Sequence, residues 1–119
     1  MRVCRVSVER TGQGVAGAVG LADGFWQRCR GLLGRAALAP GEGLCLTPCR
    51  AVHTLGMRFS LDVIFLDRSD TVLEIRRRVP VGSWARGPRG TGRTLELAAG
   101  SVPEEIKAGD RLCFTPSGA

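Results

Sequence analysis

Hydrophobic and polar residues alternate along much of the chain, a pattern that predicts β-strands with one buried face. Cys4, Val6 and Val8 begin the alternation, and a second strand over Val15–Leu21 is expected to pair with this segment as a hairpin. The same pattern predicts strands at Leu44–Leu46, Ala51–Leu55, Leu61–Leu66, Val72–Val79 and Arg93–Ala98, and a closing strand that contains Leu112 and Phe114.

The stretch Leu61–Leu66 differs from the other strands because it is apolar on both faces. Val63 and Phe65 lie on one face of this strand, and Ile64 lies on the other. Strands of this composition occupy the interior of a sheet whose two faces are both covered. We therefore expect this strand to organise the core.

Two segments have the pattern of short helices. Asp23 is a suitable N-cap for an amphipathic helix over Gly24–Leu33, because apolar residues recur there at helical spacing and Gly34 can end the helix. A capping-box pattern that begins at Ser101 predicts one or two helical turns near Pro103–Ile106.

Length and composition are those of one folded domain spanning residues 1–119, with 44% hydrophobic residues. We predict a mainly β, compact antiparallel β-barrel or sandwich-like domain with one or two short helices. No apolar stretch is long enough to span a membrane, and the N-terminus lacks the apolar segment of a secretory signal, so we expect a cytoplasmic protein. Five cysteines cannot all pair within one chain, which favours free thiols.

Charge suggests a class of partner. The formal net charge is +6, from 17 Lys and Arg against 11 Asp and Glu. Arginines recur at Arg76–Arg78 and in the stretch Val81–Arg93, where Arg86 and Arg89 accompany an isolated Trp84; this stretch has no periodicity and predicts a long loop. Such a surface suits an acidic protein or an anionic ligand. Nucleic acid is disfavoured because aromatic content is 5%, but nonspecific polyanion binding remains an alternative.

The densest group of reactive side chains raises the question of a metal. Cys49, His53 and Met57 are spaced four residues apart, like the soft ligands of copper sites, but such a site needs a second histidine and the chain has one. A zinc or copper(I) site formed by Cys45, Cys49 and His53 would draw its fourth ligand from Cys29 or Cys113. Residues four apart on a strand lie about 13 Å from each other, so we predict no metal site and no cofactor.

A thiol- or metal-dependent hydrolase that uses Cys49, His53 and Asp62 is the enzymatic alternative. In the thiol-dependent form, Cys49 or Cys45 would be the nucleophile, His53 the base and Asp62 the group that orients the base. If the chain folds back at Gly56, Asp62 falls opposite Thr54. The competing interpretation makes the cysteines small buried hydrophobes and Asp62 an acceptor of hydrogen bonds from Thr54 or from loop amides.

Five segments resemble the landmarks of the domain-of-unknown-function 192 (DUF192) family. They are Gly31–Arg35, Gly43-Leu44, Leu61–Asp67, Leu95–Gly100 and Gly109-Asp110. The stretch 53–57 reads His-Thr-Leu-Gly-Met where many members have Trp-Met-Lys-Asn-Thr, which is similar to a His-Thr branch of the family. The resemblance implies a small β-rich fold with short helices and no established enzymatic activity.

The sequence therefore does not specify a biochemical function, and our leading hypothesis is a small non-catalytic binding or accessory module. Its expected contact surface contains Cys49, His53, Thr54, Met57, Asp62, Trp84, Arg86 and Arg89.

Overall fold

Strands account for all the regular structure in the part of the chain that the computed structural model describes, residues 2–22 and 37–117. They are β1 (Arg2–Val8), β2 (Gly14–Ala22), β3 (Glu42–Leu46), β4 (Ala51–His53), β5 (Leu61–Leu66), β6 (Val72–Val79), β7 (Trp84–Arg86), β8 (Arg93–Ala98) and β9 (Leu112–Pro116). The predicted mainly β fold is confirmed. Within the same residues there is no helix long and apolar enough to span a bilayer.

Seven strands form one sheet in the order β6-β5-β8-β3-β2-β1-β9, which curls into a half-barrel. Every neighbouring pair is antiparallel except β2 and β3, which run parallel. A bridge between Thr71 and Arg111 connects the segments that precede the two outermost strands. The predicted hairpin of β1 and β2 is confirmed by their antiparallel pairing.

Strand β5 is buried at each of its six positions, as its composition predicts. It pairs with β6 on one side and with β8 on the other. Ile64 and Leu66 contribute to one apolar cluster, and Leu61, Val63 and Phe65 contribute to a second cluster on the opposite face. The sheet therefore has to be covered on both faces.

The predicted helix at Pro103–Ile106 is wrong, because this segment forms a turn. The guanidinium of Arg77 donates to the backbone carbonyls of Val102 and Pro103, at 2.6 and 3.1 Å, and these carbonyls are acceptors that a helix beginning here would need. No helix occurs in residues 2–22 and 37–117. The predicted helix over Gly24–Leu33 lies outside the described residues.

The prediction of an unbroken loop over Val81–Arg93 is also wrong. Strand β7 lies within it and pairs antiparallel with β4, forming a separate two-stranded sheet. In β7 only Ala85 is buried, and Trp84 and Arg86 are exposed. One buried residue in a three-residue strand is too short a pattern to give a periodicity that sequence reasoning can detect.

Gly43 tests how tightly the centre of the large sheet is packed. A Cβ at this position would lie 2.5 Å from the Leu97 side chain and 2.8 Å from the backbone oxygen of Glu96. We expect Gly43→Ala to lower the free energy of unfolding by about 1–3 kcal/mol, because backbone cannot move aside cheaply. Urea denaturation measures this loss. Gly17→Ala is the matched control, since nothing lies within 4 Å of a Cβ there. Equal stabilities of the two variants would contradict the packing.

Candidate functional site

Among the described residues, two segments and Leu38 cover the second apolar face of the large sheet. We call the two segments, residues 47–60 and 80–92, the covering layer. They carry β4 and β7, whose central residues Val52 and Ala85 are buried in the same cluster as Phe65. The approach is close at Gly87, where a Cβ would lie 2.6 Å from the Phe65 ring. The covering layer is therefore part of the core on its inner side.

Thr54 holds the two segments of the covering layer together. Its hydroxyl donates to the carbonyl of Pro80 at 2.6 Å and accepts from the amide of Ser83 at 2.8 Å. Its backbone amide donates to the carbonyl of Ser83 at 2.8 Å. The side chain is completely buried. The structure thus places Thr54 inside the covering layer, not on the contact surface on which sequence analysis placed it.

The Asp62 carboxylate likewise forms hydrogen bonds within the fold. One carboxylate oxygen accepts from the amide of Arg78 at 2.9 Å, and the other accepts from the amides of Gly100 and Val102 at 3.0 and 3.1 Å. The residue is fully buried and pairs with Leu97 on β8, so the predicted alignment opposite Thr54 is wrong. The interpretation of Asp62 as an acceptor from loop amides is confirmed.

The outer side of the covering layer carries an exposed aromatic pair. His53 and Trp84 lie opposite each other on β4 and β7, with ring centroids 5.0 Å apart and an interplanar angle of 49°. Trp84 is 67% exposed. Leu55 and Val81 flank the same strand pair and are 42% and 49% exposed. Of the four large exposed hydrophobic residues in the described chain, three belong to this group. We call His53, Leu55, Val81 and Trp84 the apolar patch.

Arginines accompany the apolar patch. The covering layer contains Arg50, Arg58, Arg86 and Arg89 and has no Asp or Glu in either segment. All four arginines are exposed, and none forms an ion pair with a carboxylate in the described part of the chain. The Arg50 guanidinium donates to the carbonyl of Gly87 at 3.0 Å. The layer therefore presents positive charge without local neutralisation.

The cysteines lie closer to the core. Cys49 and Met57 pack at the margin of the second cluster, and the Cys49 thiol donates to the carbonyl of Ala51 at 3.2 Å. Cys45 is fully buried, and burial raises the pKa of its thiol to about 11, which keeps it protonated at neutral pH. Cys113 lies on β9, near the Glu9 carboxylate, and Cys29 lies outside the described residues.

The described residues contain no group of three or more His, Cys, Asp or Glu side chains placed to hold a metal ion. Accordingly, neither Cys45, Cys49 and His53 nor Cys49, His53 and Asp62 converge on a shared centre. His53 contacts Trp84 on the outer side of the layer, whereas Asp62 accepts its hydrogen bonds from within the fold. The arrangement does not assemble the proposed nucleophile, base and orienting group.

Glu96 is the residue that sequence reasoning missed. The alternation of β8 assigns it to a solvent-facing position, yet it is only 4% exposed. It lies between Leu44 of β3 and Val63 of β5, both members of the second cluster. Burial raises the pKa of its carboxyl to about 7. The signal was present in β5: a strand that is apolar on both faces implies that its neighbour β8 is also covered on both.

Comparison with known proteins gives a family and a fold. The DUF192 family, described as "Uncharacterized ACR", matches residues 6–114. A protein from Sinorhizobium meliloti 1021, provisionally named a transcription regulator, has a similar structure, with a TM-score of 0.81, 24% identity, and coverage of 95% of this chain and 92% of its own. A protein of unknown function from Novosphingobium aromaticivorans DSM 12444 has a TM-score of 0.81, 22% identity, and coverage of 93% and 84%. No curated protein matches the chain.

Asp62→Ala should be severely destabilising. It deprives three buried or half-buried amides of their acceptor, and hydrogen bonds to a charged group contribute about 1.5–3 kcal/mol each, so we expect a combined loss of roughly 4.5–9 kcal/mol. Urea denaturation followed by circular dichroism gives the loss. Asp67→Ala is the matched control. The Asp67 carboxylate accepts hydrogen bonds from the amides of Ser69 and Thr71, but in an open turn, so its removal should lower the free energy of unfolding by about 1 kcal/mol. Equal losses would contradict the structural role of Asp62.

Glu96 should make stability fall as pH rises. The carboxyl titrates near 4.5 when unfolded and near 7 when folded, so between these values the folded state holds a proton that the unfolded state has released. The contribution of Glu96 to stability is therefore fully present below pH 4.5, and about 3 kcal/mol of it is lost by pH 7. Glu96→Gln should remove this loss. Denaturation midpoints at several pH values measure it, with the exposed Glu104→Gln as control. Identical pH dependence of Glu96→Gln and wild type would contradict the assignment.

Proposed function

The chain belongs to the DUF192 family, and we propose that it is a non-catalytic binding module that holds an acidic partner protein on the outer side of its covering layer. One observation carries the proposal: the exposed apolar patch and four exposed arginines share 27 residues that contain no carboxylate side chain. Hydrophobic contact and positive charge are thus available on the same surface.

The apolar patch provides the hydrophobic contact area of the proposed binding surface. Tryptophan is enriched among the residues that dominate binding energy, and exposed apolar side chains gathered on one part of a surface are typical of interaction sites. Trp84 lies against His53 on a strand pair whose inner side is anchored in the core. The strand that carries the Trp84 indole is therefore fixed by the core, which limits the conformational entropy lost when a partner binds.

The arginines supply selectivity for an acidic partner. Unneutralised positive charge raises the rate of encounter with an acidic surface and disfavours basic partners. A protein partner is favoured over nucleic acid because Leu55 and Val81, half of the apolar patch, are aliphatic and offer no platform on which bases stack, and aromatic residues make up only 5% of the chain. Polyanion binding by charge alone is the competing outcome of the test below.

A hydrolase is less well supported. The carboxylate of Asp62 already accepts hydrogen bonds from three backbone amides, which opposes the proposed role of orienting a histidine base. Cys45 has a raised thiol pKa, which opposes formation of a nucleophilic thiolate. Elemental analysis and thiol labelling of Cys49 at neutral pH distinguish this alternative, since selective, fast labelling favours an enzyme.

The test is the affinity of the full chain for a synthetic peptide of alternating Glu and Val, measured by fluorescence anisotropy. We expect Trp84→Ala to weaken binding by about tenfold and Arg86→Glu by a similar factor, because each removes one element of the surface. Val3→Ala and Arg5→Glu are matched controls, since both residues are exposed on β1, in the sheet away from the covering layer, and should leave affinity unchanged.

Two results would contradict the proposal. Wild-type affinity in both Trp84→Ala and Arg86→Glu would remove the covering layer from binding. Equally tight binding of duplex DNA, with Trp84→Ala without effect and a steep salt dependence, would identify a nonspecific polyanion binder instead.

A further inference from the structure

We infer that the partner binds as an extended segment that adds a strand to the outer edge of β4. This inference rests on the proposed function and specifies how the partner is held. It starts from the hydrogen-bonding pattern of the two-stranded sheet.

Pairing within this sheet determines which backbone groups of β4 face outward. Gly87 donates its amide to the carbonyl of Arg50, and Thr54 donates its amide to the carbonyl of Ser83. In an antiparallel pair the hydrogen-bonded positions alternate with positions whose N–H and C=O groups point away from the partner strand. Ala51 and His53 occupy the alternate positions, so their backbone groups point to the outer edge of β4.

Each edge of this small sheet has one carbonyl already bonded, but by different donors. On the β7 edge the donor is the Arg76 guanidinium, which reaches the carbonyl of Arg86 from β6 at 3.3 Å and so places a side chain of the large sheet at that edge. On the β4 edge the donor is the Cys49 thiol of the same segment, at 3.2 Å from the carbonyl of Ala51, and the amides of Ala51 and His53 and the carbonyl of His53 have no hydrogen-bond partner within the described chain. Both residues are exposed. In the described part of the chain no group from outside the covering layer bonds to the β4 edge, which leaves it available to another strand.

Natural proteins protect exposed edges with proline, lysine, bulges or covering segments, and an edge without them is a template for strand addition. Within β4 the sequence Ala-Val-His has no proline, lysine or bulge, and the shortness of the strand is its one protective feature, so that an added segment would pair over only a few residues. The same strand carries His53, so a segment added here would lie beside the apolar patch. Arg50 directly precedes β4 and Arg58 follows it, which places positive charge on the covering layer near both ends of the strand.

The partner segment defined by these features is extended, has acidic residues, and places an apolar side chain against Trp84. Backbone hydrogen bonds would provide the affinity common to any extended segment, and the patch and arginines would select among sequences. In a strand, alternate residues direct their backbone groups to opposite edges. Only every second residue of the partner therefore donates to β4.

The experiment uses the full chain and two modified forms of the alternating Glu-Val peptide. One form is N-methylated at every Val and the other at every Glu, which removes donors on one edge at a time without changing charge. Strand addition predicts that one methylated form loses at least about tenfold in affinity while the other binds as the unmodified peptide. Hydrogen exchange of the Ala51 and His53 amides, followed by NMR, should slow on binding of the unmodified peptide.

Each failure has a distinct signature. If the unmodified peptide binds and depends on Trp84, but both methylated forms bind equally well, the partner docks without strand addition and only this inference is overturned. If both methylated forms lose affinity, unchanged exchange of the Ala51 and His53 amides overturns it and slowed exchange supports it. If binding of the unmodified peptide is indifferent to Trp84→Ala and Arg86→Glu, the proposed function itself fails.

Discussion

Burial of β5 on both faces is the constraint on which the rest of the molecule depends. A six-residue strand with no exposed position needs apolar cover above and below the sheet, and a chain of 119 residues has little material from which to build two covers. One face is closed by the curl of the seven-stranded sheet and the residues packed within it. On the other face, the described residues that supply the cover are Leu38 and two irregular segments that carry only six residues of strand between them.

This division explains where structural and functional residues lie. Polar groups on the inner side of the covering layer have to be satisfied, and Thr54 does so by hydrogen bonding to the segment that carries β7. Asp62, near the start of β5, accepts hydrogen bonds from three further amides. Polar groups on the outer side face solvent and need no hydrogen-bond partner within the protein. There the layer exposes aromatic, aliphatic and arginine side chains, and we assign binding to this side.

Sequence reasoning succeeded where periodicity is long and failed where packing decides. Strands β1, β6 and β8 follow from alternation over five or more residues, and β5 follows from its unbroken apolar run. Strand β7 escaped detection because three residues define no period. Asp62 and Thr54 were grouped with His53 because they are near it in sequence, but the fold directs Asp62 and Thr54 inward and His53 outward. Burial of Glu96 was not predicted, because alternation identifies the two faces of a strand without revealing whether something covers the second.

The central claim is that the covering layer is held by the second face of β5, and hydrogen exchange in wild type and Phe65→Leu tests it most directly. Phe65 lies against Gly87, so a smaller side chain should loosen the layer first. We predict that exchange of the Val52 and Ala85 amides accelerates at least about tenfold in Phe65→Leu, beyond any change in the β1–β2 hairpin. Unchanged protection of Val52 and Ala85, or equal acceleration in the hairpin, would contradict the account.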